Sequence, residues 1–210
     1  MSKSESTLLN MVLTMFLITA IAGTGMGFVY TVTKEPIAAS KLQKELAAIK
    51  EVLPEFNNNP ADEVYNLTSN NGTILTIYPA KNNGELIGVA IETTSNKGFS
   101  GDIKIMVGLK PDGTIYNYKV LEHKETPGLG TKMDDWFKSD KGHRSVIGKN
   151  PGKNKLIVKN DGGEVDAITA ATISSRAFLD AIEIAYSTYT QKTDATSSAT
   201  TIYEQEGGNQ

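Results

Sequence analysis

A chain of 210 residues with 21 basic and 24 acidic side chains carries a net charge of −3, no cysteine and two histidines. The length suits one ordinary domain plus an appendage, and the charge offers no field that would draw nucleic acid. Zero cysteine excludes disulfides, iron–sulfur clusters, thiolate zinc sites and cysteine nucleophiles. His123 and His143 are not spaced as a ligand pair, so no metal site and no catalytic residue is assigned. Any redox chemistry must use a cofactor held in another way.

The first predicted element is a membrane span. From Thr7 to Thr33, "TLLNMVLTMFLITAIAGTGMGFVYTVT", there is no charged residue. As a helix this run reaches about 40 Å, and a bilayer core needs only about 20 residues. Ala20-Ile21-Ala22 offers an A-x-A cleavage pattern, but the apolar run continues through Phe28, Val29, Tyr30 and Val32. A retained anchor is therefore read in preference to a cleaved signal. Gly23 and Gly27 form a small-xxx-small pair. Two readings of it stand, a helix contact or the ordinary abundance of glycine in spans. Lys3 lies on one side and Lys34, Lys41 and Lys44 on the other, which leaves the orientation open.

Next, "EPIAASKLQKELAAIKEVLPEF" sets Ile37, Leu42, Leu46, Ile49 and Leu53 at helical spacing among Lys and Glu. An amphipathic helix is predicted, joined to the span with a break near Pro36 and ended by Pro54. "NNNPADE" (57–63) reads as a loop. The period then falls to two. Residues 73–80, 86–95, 102–110 and 114–123 are predicted strands, separated by "NNGE" and "PDG" turns. Sequential strands with tight turns imply an antiparallel meander. A further strand is predicted over 154–160 and a helix over 173–191, with Ile173, Ala177, Ala181 and Ile184 near one face. The polar stretch after Thr193 reads as disordered.

The fold class is thus α+β, an antiparallel β-meander with packed helices behind one N-terminal transmembrane helix. The expected divisions are 1–33 for tail and anchor, 34–191 for the domain and 192–210 for a disordered polar tail.

Between the fourth and fifth predicted strands lies an irregular insert, 123–153, with the sole tryptophan, Trp136, beside Phe137. A loop this long in a compact domain is usually functional or disordered, and Trp-Phe argues for function. Its "TPGLG" supplies Gly128 and Gly130, where backbone can approach a ligand.

"DAITAATISSR" (166–176) opens the last helix. Free N–H groups and the dipole of a helix start favour an anion, and phosphate is a natural guest. Thr169, Thr172, Ser174 and Ser175 add hydroxyls, Arg176 adds charge, and Ala170 and Ala171 keep the approach open. On local physics a plain N-cap at Thr169 or Thr172 explains the same residues.

"DAITAAT" resembles D-x-[S/T]-G-A-T, the flavinylation motif of the FMN-binding domain family. With the single span, the "EPIAASKLQKEL" helix, "GFSGDIKIMVGL" (98–109), "HKETPGLG" (123–130) and "DAITAATISSRA" (166–177), the chain resembles the G subunits of Rnf electron-transport complexes. These are relatives of the C subunits of sodium-pumping NADH:quinone oxidoreductases. The resemblance implies FMN joined by a flavin transferase, through its phosphate, to the hydroxyl of the last motif threonine, here Thr172. Asp166 matches the motif acid and Thr169 its [S/T], while Ala170 stands where the family uses glycine. Ala171 and Ser175 fall in the same segment, and Glu125, Thr126, Gly128, Leu129 and Gly130, with Gly98 of "GFSG", are expected to line the flavin. Leu129 and Trp136 are expected to cover its ring.

The implied role is electron relay within an ion-translocating ferredoxin:NAD oxidoreductase, as one component rather than a stand-alone enzyme. Implied partners are the other membrane subunits, the flavin transferase and the lipid bilayer, with no nucleic acid. The implied location is the cytoplasmic (inner) membrane, single-pass, with the C-terminal domain outside the cytoplasm. Two alternatives stand beside this: the C subunit of a sodium-pumping quinone reductase, and a cofactor-free anchored binding module, in which Thr172 is only a cap.

Overall fold

The computed structural model describes residues 7–206, with side chains described through Gln191. The chain falls into two units, one ending at Lys44 and one beginning at Glu45. Helix α1 (Leu8–Val52) runs unbroken for 45 residues with Pro36 inside it. The break expected at Pro36 does not occur. Proline there removes the bond to the carbonyl of Val32, and the helix continues on both sides of the missing bond. The helix stops at Val52, two residues before Pro54, because the residue preceding a proline is pushed out of helical geometry. Among the described residues α1 is the one helix long and apolar enough to cross a membrane. Its apolar stretch exposes Leu9, Phe16, Ile21 and Phe28. The hydroxyls of Thr14, Thr19 and Thr24 donate to carbonyls four residues back, at 2.6, 2.9 and 2.7 Å. Their polar groups are thereby satisfied within the helix, as a lipid surrounding requires.

From Glu45 onward the chain builds a five-stranded antiparallel sheet in sequence order: β1 (Tyr65–Thr68), β2 (Ile74–Asn82), β3 (Glu85–Ser95), β4 (Ile103–Leu109) and β5 (Ile115–His123). Asn83 (φ 52°) and Gly84 (φ 86°) make the β2–β3 turn. Positive φ at both central residues is the hairpin geometry that matches strand twist. β1 escapes the sequence reading because it has four residues and only Leu67 buried, too short to show a period.

Alternation along the strands gives the sheet two apolar faces. On one, Leu75, Ile77, Ile91, Ile105 and Val107 pack with Phe178, Ala181 and Ile182 of the last helix, α3 (Thr172–Glu206). On the other, Ala80, Ala90 and Met106 meet Ala48, Ile49, Val52 and Leu53. Gly108 allows this approach, since a Cβ there would lie 1.6 Å from the carbonyl oxygen of Val52.

The strand expected over 154–160 is absent. Leu156 and Val158 are buried and Ile157 is exposed, so the alternation is real, but no ladder forms. The segment folds back on itself through a single bridge between Val158 and Val165, around a 3₁₀ turn at Lys159–Asp161. The short helix α2 (Met133–Trp136) lies in the insert. On α3 the inward face is Ala177, Phe178, Ala181, Ile182 and Ala185, whereas Ile173 is exposed. The expected tail, 192–210, lies beyond the residues whose side chains are described.

Candidate functional site

Three segments distant in sequence converge at the start of α3: residues 98–101 after β3, 125–130 after β5, and 166–175. Glu125 joins them. Its side chain is 5% exposed. One carboxylate oxygen accepts from the Ser100 N–H at 3.0 Å, the other from Ser174 Oγ at 2.5 Å. Glycines hold it on two sides: a Cβ at Gly98 or at Gly130 would each come within 2.8 Å of a Glu125 oxygen.

The segment before α3 is a tight turn. Ala171 N–H donates to the carbonyl of Ile168 at 2.9 Å, and Ala170 has φ +61°. A positive φ at the third position of a four-residue turn is what glycine usually supplies. Ser175 clips the turn from beneath. Its Oγ accepts from the Ile168 N–H and donates to the Ala171 carbonyl, both at 2.9 Å, and it is fully buried.

Asp166 ties the turn to the insert. Its carboxylate accepts from Lys159 Nζ and from the His143 N–H, each at 2.8 Å. These two donors, Lys159 first, hold its carboxyl below the usual carboxylate range. Its carbonyl accepts from Trp136 Nε1 at 2.9 Å, and the Arg144 guanidinium lies 3.8 Å from the Trp136 ring centre.

Thr172 is half-buried, on a ridge between two clefts. The first, of about 340 Å³, is lined by Phe99, Glu125, Thr126, Leu129 and Ile173, with Gly130 and Ser174. Phe99, Leu129 and Ile173 expose apolar surface at its rim. The second, of about 410 Å³, is lined by Trp136, Arg144, Lys159, Asp166 and Thr169. Ala170 and Thr172 belong to both. Among the described residues Arg144 has no ion pair. A further cleft of about 580 Å³, beside Lys97, Ile157 and Arg176, contains none of the expected site residues.

Most of the expected residues therefore gather here. Thr172, Ala171, Glu125, Thr126, Leu129 and Gly130 line the apolar cleft, and Thr172, Thr169 and Asp166 the polar one. Gly98, Gly128 and Ser175 line neither. Gly98 packs behind Glu125, Gly128 (φ +74°) shapes the loop by donating to Thr131 Oγ1 at 2.9 Å, and Ser175 holds the turn. Leu129 and Trp136 do not share a cleft. Arg176 turns away and pairs with Asp161 through two 2.7 Å bonds. Arg144 escapes the sequence reading because it stands in the irregular insert, where no period marks which side chains point inward, and Lys159 because the alternation over 154–160 sets it on the outward side.

Comparison with known proteins covers the same segments. Residues 98–187 match the FMN-binding domain family, a stretch that includes all three converging loops. The chain is 37% identical over 161 residues to the G subunit of the ion-translocating oxidoreductase complex of Erwinia tasmaniensis, covering 72% of this chain and 75% of the relative. It is 36% identical over 175 residues to the corresponding G subunit from Aliivibrio fischeri strain MJ11, covering 78% and 82%. The figures for the Cereibacter sphaeroides protein are 36% over 156 residues, 71% and 69%. The chain belongs to the family of G subunits of ion-translocating oxidoreductase complexes. In this G-subunit chain, the positive φ of Ala170 accounts for the glycine that the resemblance leads one to expect there.

Proposed function

We propose that this protein is a membrane-anchored flavoprotein of an Rnf-type ion-translocating oxidoreductase, carrying FMN covalently through its phosphate on Thr172. The observation that carries the reading is the position of Thr172, at the first turn of α3 and on the edge common to an apolar and a cationic cleft.

FMN is itself divided in this way, with a flat aromatic ring at one end and a phosphate at the other. Phe99, Leu129 and Ile173 suit the ring. Arg144 and Lys159 suit the phosphate, as do the N–H groups that a helix start leaves without intrahelical partners. The residues present therefore fit the group. When bound, a flavin supplies one- and two-electron transfer.

The chain's own part is to hold and orient. Ser175 and Asp166 keep the turn closed, so that Thr172 presents its hydroxyl at the ridge. Glu125 fixes the "GFSG" and "ETPGLG" loops around the apolar side. A tether suits a domain outside the cytoplasm, where lost FMN is not replaced from a cellular pool. Attachment falls to a flavin transferase, and the electron partners are the other membrane subunits.

The test is intact-mass measurement of the full-length protein purified from membranes of a host with the transferase. The peptide containing Thr172 should carry an FMN increment, and Thr172→Ala should abolish it without loss of cooperative melting. An unmodified wild-type peptide would overturn the reading.

A further inference from the structure

The apolar cleft contains one ionisable side chain among the residues that line it, and that side chain is Glu125. It is an odd choice for such a wall. Thr126, Leu129, Ile173 and Phe99 around it are neutral, and a carboxylate is among the groups least often buried. Yet the fold commits three segments to it. Ser100 and Ser174 each donate a hydrogen bond, and Gly98 and Gly130 leave out the side chains that would displace its oxygens. Among the described residues no lysine or arginine pairs with it, so its charge is hydrogen-bonded but not neutralised by a counter-ion.

We infer that Glu125 lowers the reduction potential of the flavin carried on Thr172, by holding an uncompensated carboxylate in the wall of the cleft that takes the ring. The inference rests on the flavin reading above. An electron added to a neutral ring without a proton leaves a net negative charge. A fixed carboxylate nearby, away from bulk water, opposes that charge more strongly than the same group in solvent. The partial positive charge at the start of α3 acts in the opposite sense. The hydrogen bond from Ser174, in that same turn, is where the two effects meet.

The experiment is a potentiometric titration of the full-length, membrane-purified protein with dithionite as reductant and reference dyes, read by flavin absorbance. Only the flavin-bearing fraction contributes to the signal, so incomplete attachment does not disturb it. Glu125→Gln keeps the shape and removes the charge. It should shift the one-electron equilibrium about tenfold towards the reduced form, which corresponds to about 59 mV upward. Glu125→Asp keeps the charge and should stay near the wild-type potential. A merely structural role would move both variants alike, and that result, or an unchanged potential in Glu125→Gln, overturns the inference.

If neither Glu125 variant holds flavin, Ser174→Ala decides. Loss of one donor leaves the carboxylate less screened and should lower the potential, and a rise or no change overturns the inference. Wild-type protein that carries no flavin would fail at the mass measurement and sink the reading of Thr172 as well. Flavin present with an unmoved potential sinks only the role of Glu125.

Discussion

Ala170 stands where the resemblance leads one to expect glycine, and the structure gives that difference a physical size. Its φ of +61° lies in the left-handed region, which costs an L-residue roughly 1–2 kcal/mol and glycine very little. The turn holds nonetheless, because Ser175 bonds to both of its ends and Ala171 closes it. Ala170→Gly should therefore stabilise the folded protein by about 0.5–1 kcal/mol, after allowance for the greater freedom of glycine in the unfolded chain. The check is a rise of about 2–4 °C in melting temperature, and a fall would show that the turn is not strained. Thr172 gains its meaning from such neighbours. In sequence it is a hydroxyl at a helix start, like many others. The clefts on either side of it are what set it apart.

At the scale of elements, the strands legible in the sequence were those whose alternation met a partner. β2 to β5 each show a period of two that the structure turns into a ladder. Residues 154–160 show the same period and form none, because Val158 and Val165 close a local fold before any strand can be joined. Periodicity reports which side chains are buried, while pairing depends on what lies alongside. The candidate site was legible where short motifs carried it, at Glu125 to Gly130 and Asp166 to Thr172. It was hidden at Arg144 and Lys159, which tertiary contacts alone bring to the cleft. Gly108 was likewise silent in sequence, although the seat of the last turn of α1 depends on it. Gly108→Ala sets a methyl group against the Val52 carbonyl and should cost at least about 1–3 kcal/mol. Chemical denaturation of the full chain should show the midpoint falling, and an unchanged midpoint would mean that the end of α1 yields freely.

For the whole molecule, the sheet needs both of its covers. Ile49, Val52 and Leu53 are almost wholly buried against Ala90 and Met106. Each such side chain contributes about 1.5–3 kcal/mol, so the three together amount to roughly 5–9 kcal/mol, a large part of a typical domain's stability. A chain beginning at residue 36 should melt cooperatively, whereas one beginning at residue 54 should not. Thermal scans of the two fragments separate these outcomes, and cooperative melting of the shorter one would show that α3 alone supports the sheet.

The contacts of Glu125 also set an order of events in the making of the protein. Its partners stand 25 residues before it and 49 after it, and the second of them arrives with α3, near the end of the chain. A nascent chain that has emerged only as far as Thr172 offers the threonine without the turn, the clefts or the buried carboxylate. The ridge at Thr172 is completed only once Ser174 and Ser175 have emerged to bind Glu125 and the turn, late in the synthesis of the domain.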